Sequence, residues 1–316
     1  MAQAQKTPEK AGKANYELTK EELAAGLVNP IASSPAIRNA AYEIVRGCTT
    51  DLQKAKAIFE ACEIREPSDP LGKNLVSLGK KTLRITYGTR DYDSDISEKH
   101  YFRQWNTKTA REVFTDVRKV KYNTKTGAPV GRNSFYTRTA DCDEAAYLFT
   151  AMARDVGLKA VVAFSAGNNI HGIALVLING KSYYADVAWG IFFEKNDFIK
   201  HRDKLDVDHS RFTPMNDYEL IIEFNKILVY EMTCRGKNKY GLAVKRTEAI
   251  ADYAMRVAPN DYKLLSKFSE QFLYFANLFK AVGNHPQELY CQKIADDYLR
   301  EFEIKTIGNG FKIRKE

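Results

Sequence analysis

The sequence predicts an α+β protein, a helix-and-strand core followed by an all-helical module. Three observations predict it. Between Thr139 and Trp189 the apolar pattern changes from helical spacing to strand-like runs joined by an Asn-Gly turn. Residues 37–62 carry apolar side chains at helical spacing. Beyond about residue 217 the patterned segments are all helical. Three parts are therefore expected: a polar N-terminal arm over 1–35, a core with an antiparallel sheet and a cysteine-bearing helix over 36–200, and a helical module over 201–316.

In the arm, Thr19 is a good N-cap and Glu22 sits three residues on, the spacing of a capping box. Pro30 and Pro35 then break the chain, and the arm is expected to be disordered alone or to dock on a protein partner. From Ser34, the residues Ile37, Ala40, Ala41 and Ile44 mark a helix that Gly47 ends. Thr50 or Asp51 caps the next helix, with Leu52, Ala55, Ile58, Phe59 and Cys62 in one stripe. K-T-L-R-I-T-Y alternates like a strand. Thr107 to Lys119 reads as a helix with Ala110, Val113, Phe114 and Val117 inward, and K-Y-N-T-K-T-G-A-P-V-G-R as a loop. Asp141 or Thr139 caps a helix that Cys142 opens, with Ala145, Ala146, Phe149, Met152 and Ala153 on one face and Gly157 closing it. K-A-V-V-A-F-S-A is a strand and G-N-N a turn. His171-Gly172 leads into I-A-L-V-L-I, which returns through Asn179-Gly180 as K-S-Y-Y-A-D-V-A-W. Helices follow over Asp217 to about Thr233, Val244–Val257, Asp261–Val282, and from Pro286 to about Phe302.

Composition narrows the function classes. Against 40 acidic side chains stand 48 basic ones, a net charge of +8 that draws a protein toward acidic partners such as a wall polymer. These charges are dispersed and form no contiguous Lys/Arg patch, so nucleic acid is not the expected partner. The five cysteines (Cys48, Cys62, Cys142, Cys234 and Cys291) are widely spaced, with no C-x-x-C, which argues against a zinc ribbon, a redox pair or a disulfide framework. The first residues carry no apolar signal core and no run is long enough to span a bilayer. Synthesis in the cytoplasm is expected, with a virion or wall-acting role as the destination considered. Asp91, Asp93 and Asp95 begin like a calcium loop, but Ile96 stands where Gly is needed and Phe102 where Glu is needed. Only a loose cation site remains there, and no cofactor is expected.

The chemistry concentrates between Thr139 and Trp189. A cysteine at a helix N-terminus feels the positive end of the dipole and free backbone N–H groups, which favour its thiolate and can hold an oxyanion. A two-residue Asn179-Gly180 turn fixes which residues of its two strands face each other, and it sets Asp186 diagonally across from His171. Asp186 then orients His171, and His171 takes the proton of Cys142. The expected catalytic residues are Cys142, His171 and Asp186, with Trp105 and Tyr136 as candidates to assist the oxyanion.

These residues resemble a known pattern. Asp141-Cys142-Asp143-Glu144, Leu148, Ala153-Arg154, Gly157, His171, Asn179-Gly180, Tyr183 or Tyr184, and Asp186 are similar to the motifs of the transglutaminase-like cysteine-peptidase superfamily. The segment G-C-T-T-D-L-Q-K-A-K-A-I-F looks like the helix before the core in many members. The resemblance spans about residues 37–190, interrupted over 65–105. Y-N-T-K-T-G-A with A-R-D-V-G is similar to the archaeal branch that includes viral pseudomurein endoisopeptidases. It implies a papain-like fold, a Cys-His-Asp triad, a thioester intermediate, and a peptide or isopeptide substrate such as a methanogen wall cross-link. Ala140 stands in place of the usual Gly, Gly172-Ile173 in place of a small residue and Trp, and Val187 in place of Pro or Ala. The rival expectation is a non-catalytic structural or binding protein on the same scaffold, such as a virion or assembly component.

Overall fold

The computed structural model describes residues 17–64, 83, 85–87, 108–122, 133–165, 171–197, 212–235 and 239–308. It is an α+β protein, with nine α-helices and a five-stranded antiparallel sheet among the described residues. The chain divides into two compact units, Asn29–Leu220 and a second that joins the segment ending at Val28 to the chain from Ile221.

In the unit Asn29–Leu220, helix α2 (Pro35–Ile44) starts where Ser34 Oγ accepts from Ile37 N and Pro35 fills the first turn. Helix α3 (Asp51–Cys62) starts on a capping box made by Thr50 and Gln53. A short α4 (Ala110–Thr115) follows, capped by Thr109 and Glu112. The helix expected to run to Lys119 stops there, because Val117 opens strand β2 (Val117–Tyr122), paired antiparallel with β3 (Asn133–Ala140). Strand β1 (Ile85–Tyr87), expected from its alternation, lies parallel to the other side of β3.

Helix α5 (Cys142–Asp155) is the centre of this unit. Every residue from Glu144 to Ala153 is buried, not just the one expected face. Helices α2, α3 and α4 pack on it, and so do strands β4 (Lys159–Ser165) and β5 (Gly172–Ile178). The five-stranded sheet has the order β7-β6-β5-β4-β8 in chain numbering, with β6 (Lys181–Asp186), β7 (Ile191–Glu194) and β8 (Phe212–Pro214). Asn179 and Gly180 both adopt positive φ, 51° and 79°, as a type I′ hairpin turn requires. The register that the turn predicts is the register found: Ala174 faces Ala185, Leu175 faces Tyr184, and Ile178 faces Lys181.

The second unit is helical: α1 (Lys20–Ala24), α6 (Asp217–Arg235) from Ile221 on, α7 (Tyr240–Val257), α8 (Lys263–Ala281) and α9 (His285–Gly308). The capping box of Thr19 and Glu22 forms as expected. Residues 17–28 are docked on this chain's own helices. Val28 N donates to Asn225 Oδ1 at 3.0 Å, Asn225 Nδ2 donates back to Val28 O at 2.8 Å, and Arg256 Nη2 meets Glu22 Oε2 at 2.7 Å. Phe268, Phe272, Phe275 and Phe279 are buried along α8, and Phe272 stacks on Tyr298 of α9. The unit boundaries therefore differ from those expected at 35 and 200. Strand β8 completes the sheet at Phe212–Pro214, and Arg154 grips Asp217 through two hydrogen bonds of 2.8 Å, which carries the α+β unit on to Leu220.

Candidate active site

The N-terminus of α5 is built by its own sequence. Asp141, in extended conformation, accepts from Glu144 N at 3.1 Å, and Glu144 Oε2 accepts from Asp141 N at 3.2 Å. This box puts Cys142 at the first helical position. The second oxygen of Glu144 accepts from Lys108 N at 2.6 Å, and both residues are fully buried. Lys108 Nζ lies 3.6 Å from Asp116 Oδ2.

Two short bonds hold His171 ahead of β5. Its N–H donates to Ser165 Oγ at 2.9 Å, and Ser165 N donates to His171 O at 3.0 Å, closing the connection from β4. Its Nε2 and Asp186 Oδ2 are 2.7 Å apart. Asp186 is wholly buried, and its other oxygen accepts from Trp189 N at 3.1 Å. Both carboxylate oxygens therefore have a hydrogen-bonding partner. The His171 ring meets Trp189 and Phe212 edge-on, with centroids 6.3 and 6.0 Å away. With Nε2–H committed to Asp186, the neutral tautomer puts its lone pair on Nδ1.

Gly172 sets the first strand residue of β5 against the first turn of α5. A Cβ on Gly172 would stand 2.3 Å from Asp143 Oδ1 and 2.9 Å from Asp143 Cα, so only glycine permits this approach. The Gly172 N–H favours the charged forms of both the Cys142 thiol and the Asp143 carboxyl, against the larger effect of burial. The glycine directly after the histidine thereby gains a physical reason. The structure brings His171 and Asp186 into direct hydrogen bonding, and it sets the residue after His171 on the residue after Cys142.

The electrostatics overturn one expectation. The helix N-terminus was expected to favour a thiolate, yet burial pushes the Cys142 thiol well above its ordinary value, and the charges of Asp143 and Asp141 push it further. The Gly172 N–H opposes this and does not win. Asp143 is itself pushed up to about 8, by burial first and then by Asp141. Burial also raises Asp141 and Glu144, against the pull of Lys108. Cys142 as a residue is half-buried.

Sequence reasoning passed over three functional neighbours. Asp143 faces the sulfur at 3.3 Å; nothing but its adjacency signalled this. Trp189 N caps Asp186, a bond signalled by the Asp three residues before it at a strand end. Ser165 ties down His171, with no local signal at all. Trp105, Asp91, Asp93 and Asp95 lie outside the described residues. Tyr136 sits in β3 opposite Lys119. Among the described residues no group of three or more His, Cys, Asp or Glu side chains is placed to hold a metal ion, and no helix is long and apolar enough to cross a membrane. No family model, no curated protein and no solved structure matches the chain.

Proposed function

We propose that the chain is a cysteine-dependent acyl-transfer enzyme on a transglutaminase-like, papain-like core, acting as a peptidase or isopeptidase. One observation carries this reading. A buried His171–Asp186 pair at 2.7 Å begins the very strand that rests, through Gly172, on the Cys142 end of α5. A carboxylate so placed can orient the imidazole and stabilise the imidazolium that a general base becomes in acyl transfer.

Cys142 Sγ attacks the carbonyl carbon of the scissile amide while its proton passes to His171 Nδ1, and Asp186 stabilises the imidazolium. The carbonyl π pair moves to oxygen, where helix N–H groups can receive it. Collapse breaks the C–N bond, and the imidazolium gives its proton to the departing amine. The remaining thioester is cleaved by water, or by an acceptor amine, with His171 again as base. Because the thiol is raised, proton transfer accompanies attack instead of preceding it.

The test is covalent labelling by an electrophilic acyl probe, located by peptide mass spectrometry. Label on the Cys142 peptide that disappears in Cys142→Ala and falls sharply in His171→Ala supports the reading. Equal labelling of wild type and Cys142→Ala ends it. Model isopeptides and wall cross-link fragments then identify the amide cleaved. The raised thiol favours one second reading, a binding or assembly protein on the same scaffold, and the absence of any probe adduct on Cys142 in the wild type would select it.

A further inference from the structure

The acid next to the cysteine is positioned too specifically to be a bystander. Cys142 Sγ and Asp143 Oδ1 are 3.3 Å apart, within the reach of an S–H donor. The same oxygen lies 2.3 Å from where a Cβ on residue 172 would stand. Two independent constraints, one from α5 and one from the start of β5, therefore fix the carboxyl against the nucleophile. An acid at the first turn of a helix ordinarily points to solvent and complements the dipole; this one is turned inward to the sulfur.

We propose that Asp143 is a positioning residue of the Cys142 site, whose carboxyl accepts the Cys142 S–H and holds the resting nucleophile as a neutral thiol until the proton passes to His171. The inference rests on Cys142 being the nucleophile of the proposed reaction. In the step it controls, the S–H turns from Asp143 Oδ1 to His171 Nδ1, the S–H bond breaks as the sulfur attacks, and the proton stays on the imidazole. Asp143 neither gains nor loses a proton in that step. Its own ionisation sets how costly the developing negative charge on sulfur is.

The groups that bear on Asp143 come from each element around it. On α5 they are Asp141, Cys142 and, one turn along, Tyr147, whose hydroxyl is raised by burial and then by the charge of Asp143. From β5 the Gly172 N–H favours the ionised carboxyl. Glu144 and Lys108 act one step removed, through Asp141. His171 and Asp186 stand across the start of β5 as the proton acceptor and its orienter.

The experiment follows alkylation of Cys142 by iodoacetamide across pH in the full chain. It is quantified on the Cys142 peptide because Cys48 is also partly exposed. Asp143→Asn keeps the shape and an acceptor oxygen but removes the charge, and Asp143→Ser removes the carboxyl. In both, the midpoint of the rate profile should fall by about one pH unit. That gives about tenfold more thiolate below the midpoint and, since nucleophilicity falls with basicity, about threefold faster alkylation at fixed pH. In the wild type the profile should flatten above pH 8, as Asp143 ionises beside the sulfur. Midpoints unchanged in the variants, or a wild-type profile following one ionisation at the ordinary thiol value, would overturn the proposal. The wild-type measurement decides it even if neither variant folds. Alkylation needs neither substrate nor a base, so a shifted profile in a chain that the acyl probe does not label would sink the enzyme reading and leave this one standing.

Discussion

Gly172 offers the sharpest test of how the site is assembled. In Gly172→Ala the new Cβ would sit 2.3 Å from Asp143 Oδ1, 3.0 Å from its Cγ and 2.9 Å from its Cα. Rotating the Asp143 side chain relieves the first two contacts but not the third, which is backbone. Carbon atoms rest at about 3.5–4.0 Å, so α5 and β5 must part by roughly 0.5–1 Å. Overpacking of this kind costs about 1–3 kcal/mol. In a unit of this size each kcal/mol lowers the melting midpoint by about 2–4 °C, which puts the expected drop at roughly 2–12 °C. The chemical consequence is larger, because a displacement near 1 Å between reacting groups can cost about 100-fold in rate. Calorimetry and the second-order rate of acyl-probe labelling measure the two effects separately. A melting midpoint within 1 °C of wild type together with a labelling rate within twofold would refute the close approach on which the site is argued.

Three further outcomes are expected. Asp186→Asn retains one oxygen for two donors, His171 Nε2 and Trp189 N, so one of them is left facing an amide N–H. An unsatisfied buried donor costs about 1–3 kcal/mol of stability, and loss of the orienting charge should slow probe labelling by about 100- to 10,000-fold, read from its rate. Glu22→Gln should destabilise the helical unit by about 1 kcal/mol at neutral pH through loss of a charge-assisted bond to Arg256. Burial raises the Glu22 carboxyl, but Arg256 and Thr19 outweigh it and hold the folded value below 4.5. The stabilisation is therefore complete above pH 4.5, and the difference between wild type and variant should shrink as the pH falls below that value, as followed by denaturant melts. Gly241→Ala, in α7 with nothing within 4 Å of the new Cβ, should be neutral or stabilise by about 0.5 kcal/mol; a clear loss of stability in melts would contradict the open space seen there.

What was legible in the sequence is what local chemistry fixes. Asn179-Gly180 can only make one kind of tight turn well, and that turn sets the whole register of β5 and β6, including the diagonal from His171 to Asp186. Ser34-Pro35, Thr50 with Gln53, and Asp141 with Glu144 announce helix starts within a few residues. What was not legible depends on distant partners. Val117–Lys119 falls in the expected helix because Ala110, Val113, Phe114 and Val117 fit its period. The strand is selected by β3, whose Asn133–Ala140 pairs with it across the chain. The arm is expected to be disordered alone or to dock on a protein partner because Asn225, which binds both backbone groups of Val28, lies 197 positions away. The sequence signals no role for Asp143 beyond its place beside Cys142, because the glycine it packs against, Gly172, belongs to β5.

The same distant contact decides how the cysteine must work. A helix N-terminus returns at most about 2 kcal/mol to a favourably placed anion. An ionised carboxylate about 4 Å from a thiolate costs about 4 kcal/mol even at an effective dielectric constant of 20. Where the acids are ionised they therefore outweigh the helix terminus, in agreement with the direction in which Asp143 and Asp141 move the thiol. Under the proposed function, negative charge would collect on sulfur only as the carbonyl arrives to take it. The carboxyl of Asp143, pushed up to about 8, spares the attack most of this repulsion while it carries its own proton. The predicted consequence is an enzyme slow toward stray electrophiles and most reactive below the pH at which Asp143 ionises, a profile opposite in slope to that of a site that works by lowering its thiol. Comparing the pH dependence of iodoacetamide alkylation with that of acyl-probe labelling separates the two designs. Labelling and alkylation that both climb steadily through pH 8, with no break where Asp143 ionises, would show that the carboxyl exerts no hold on the nucleophile.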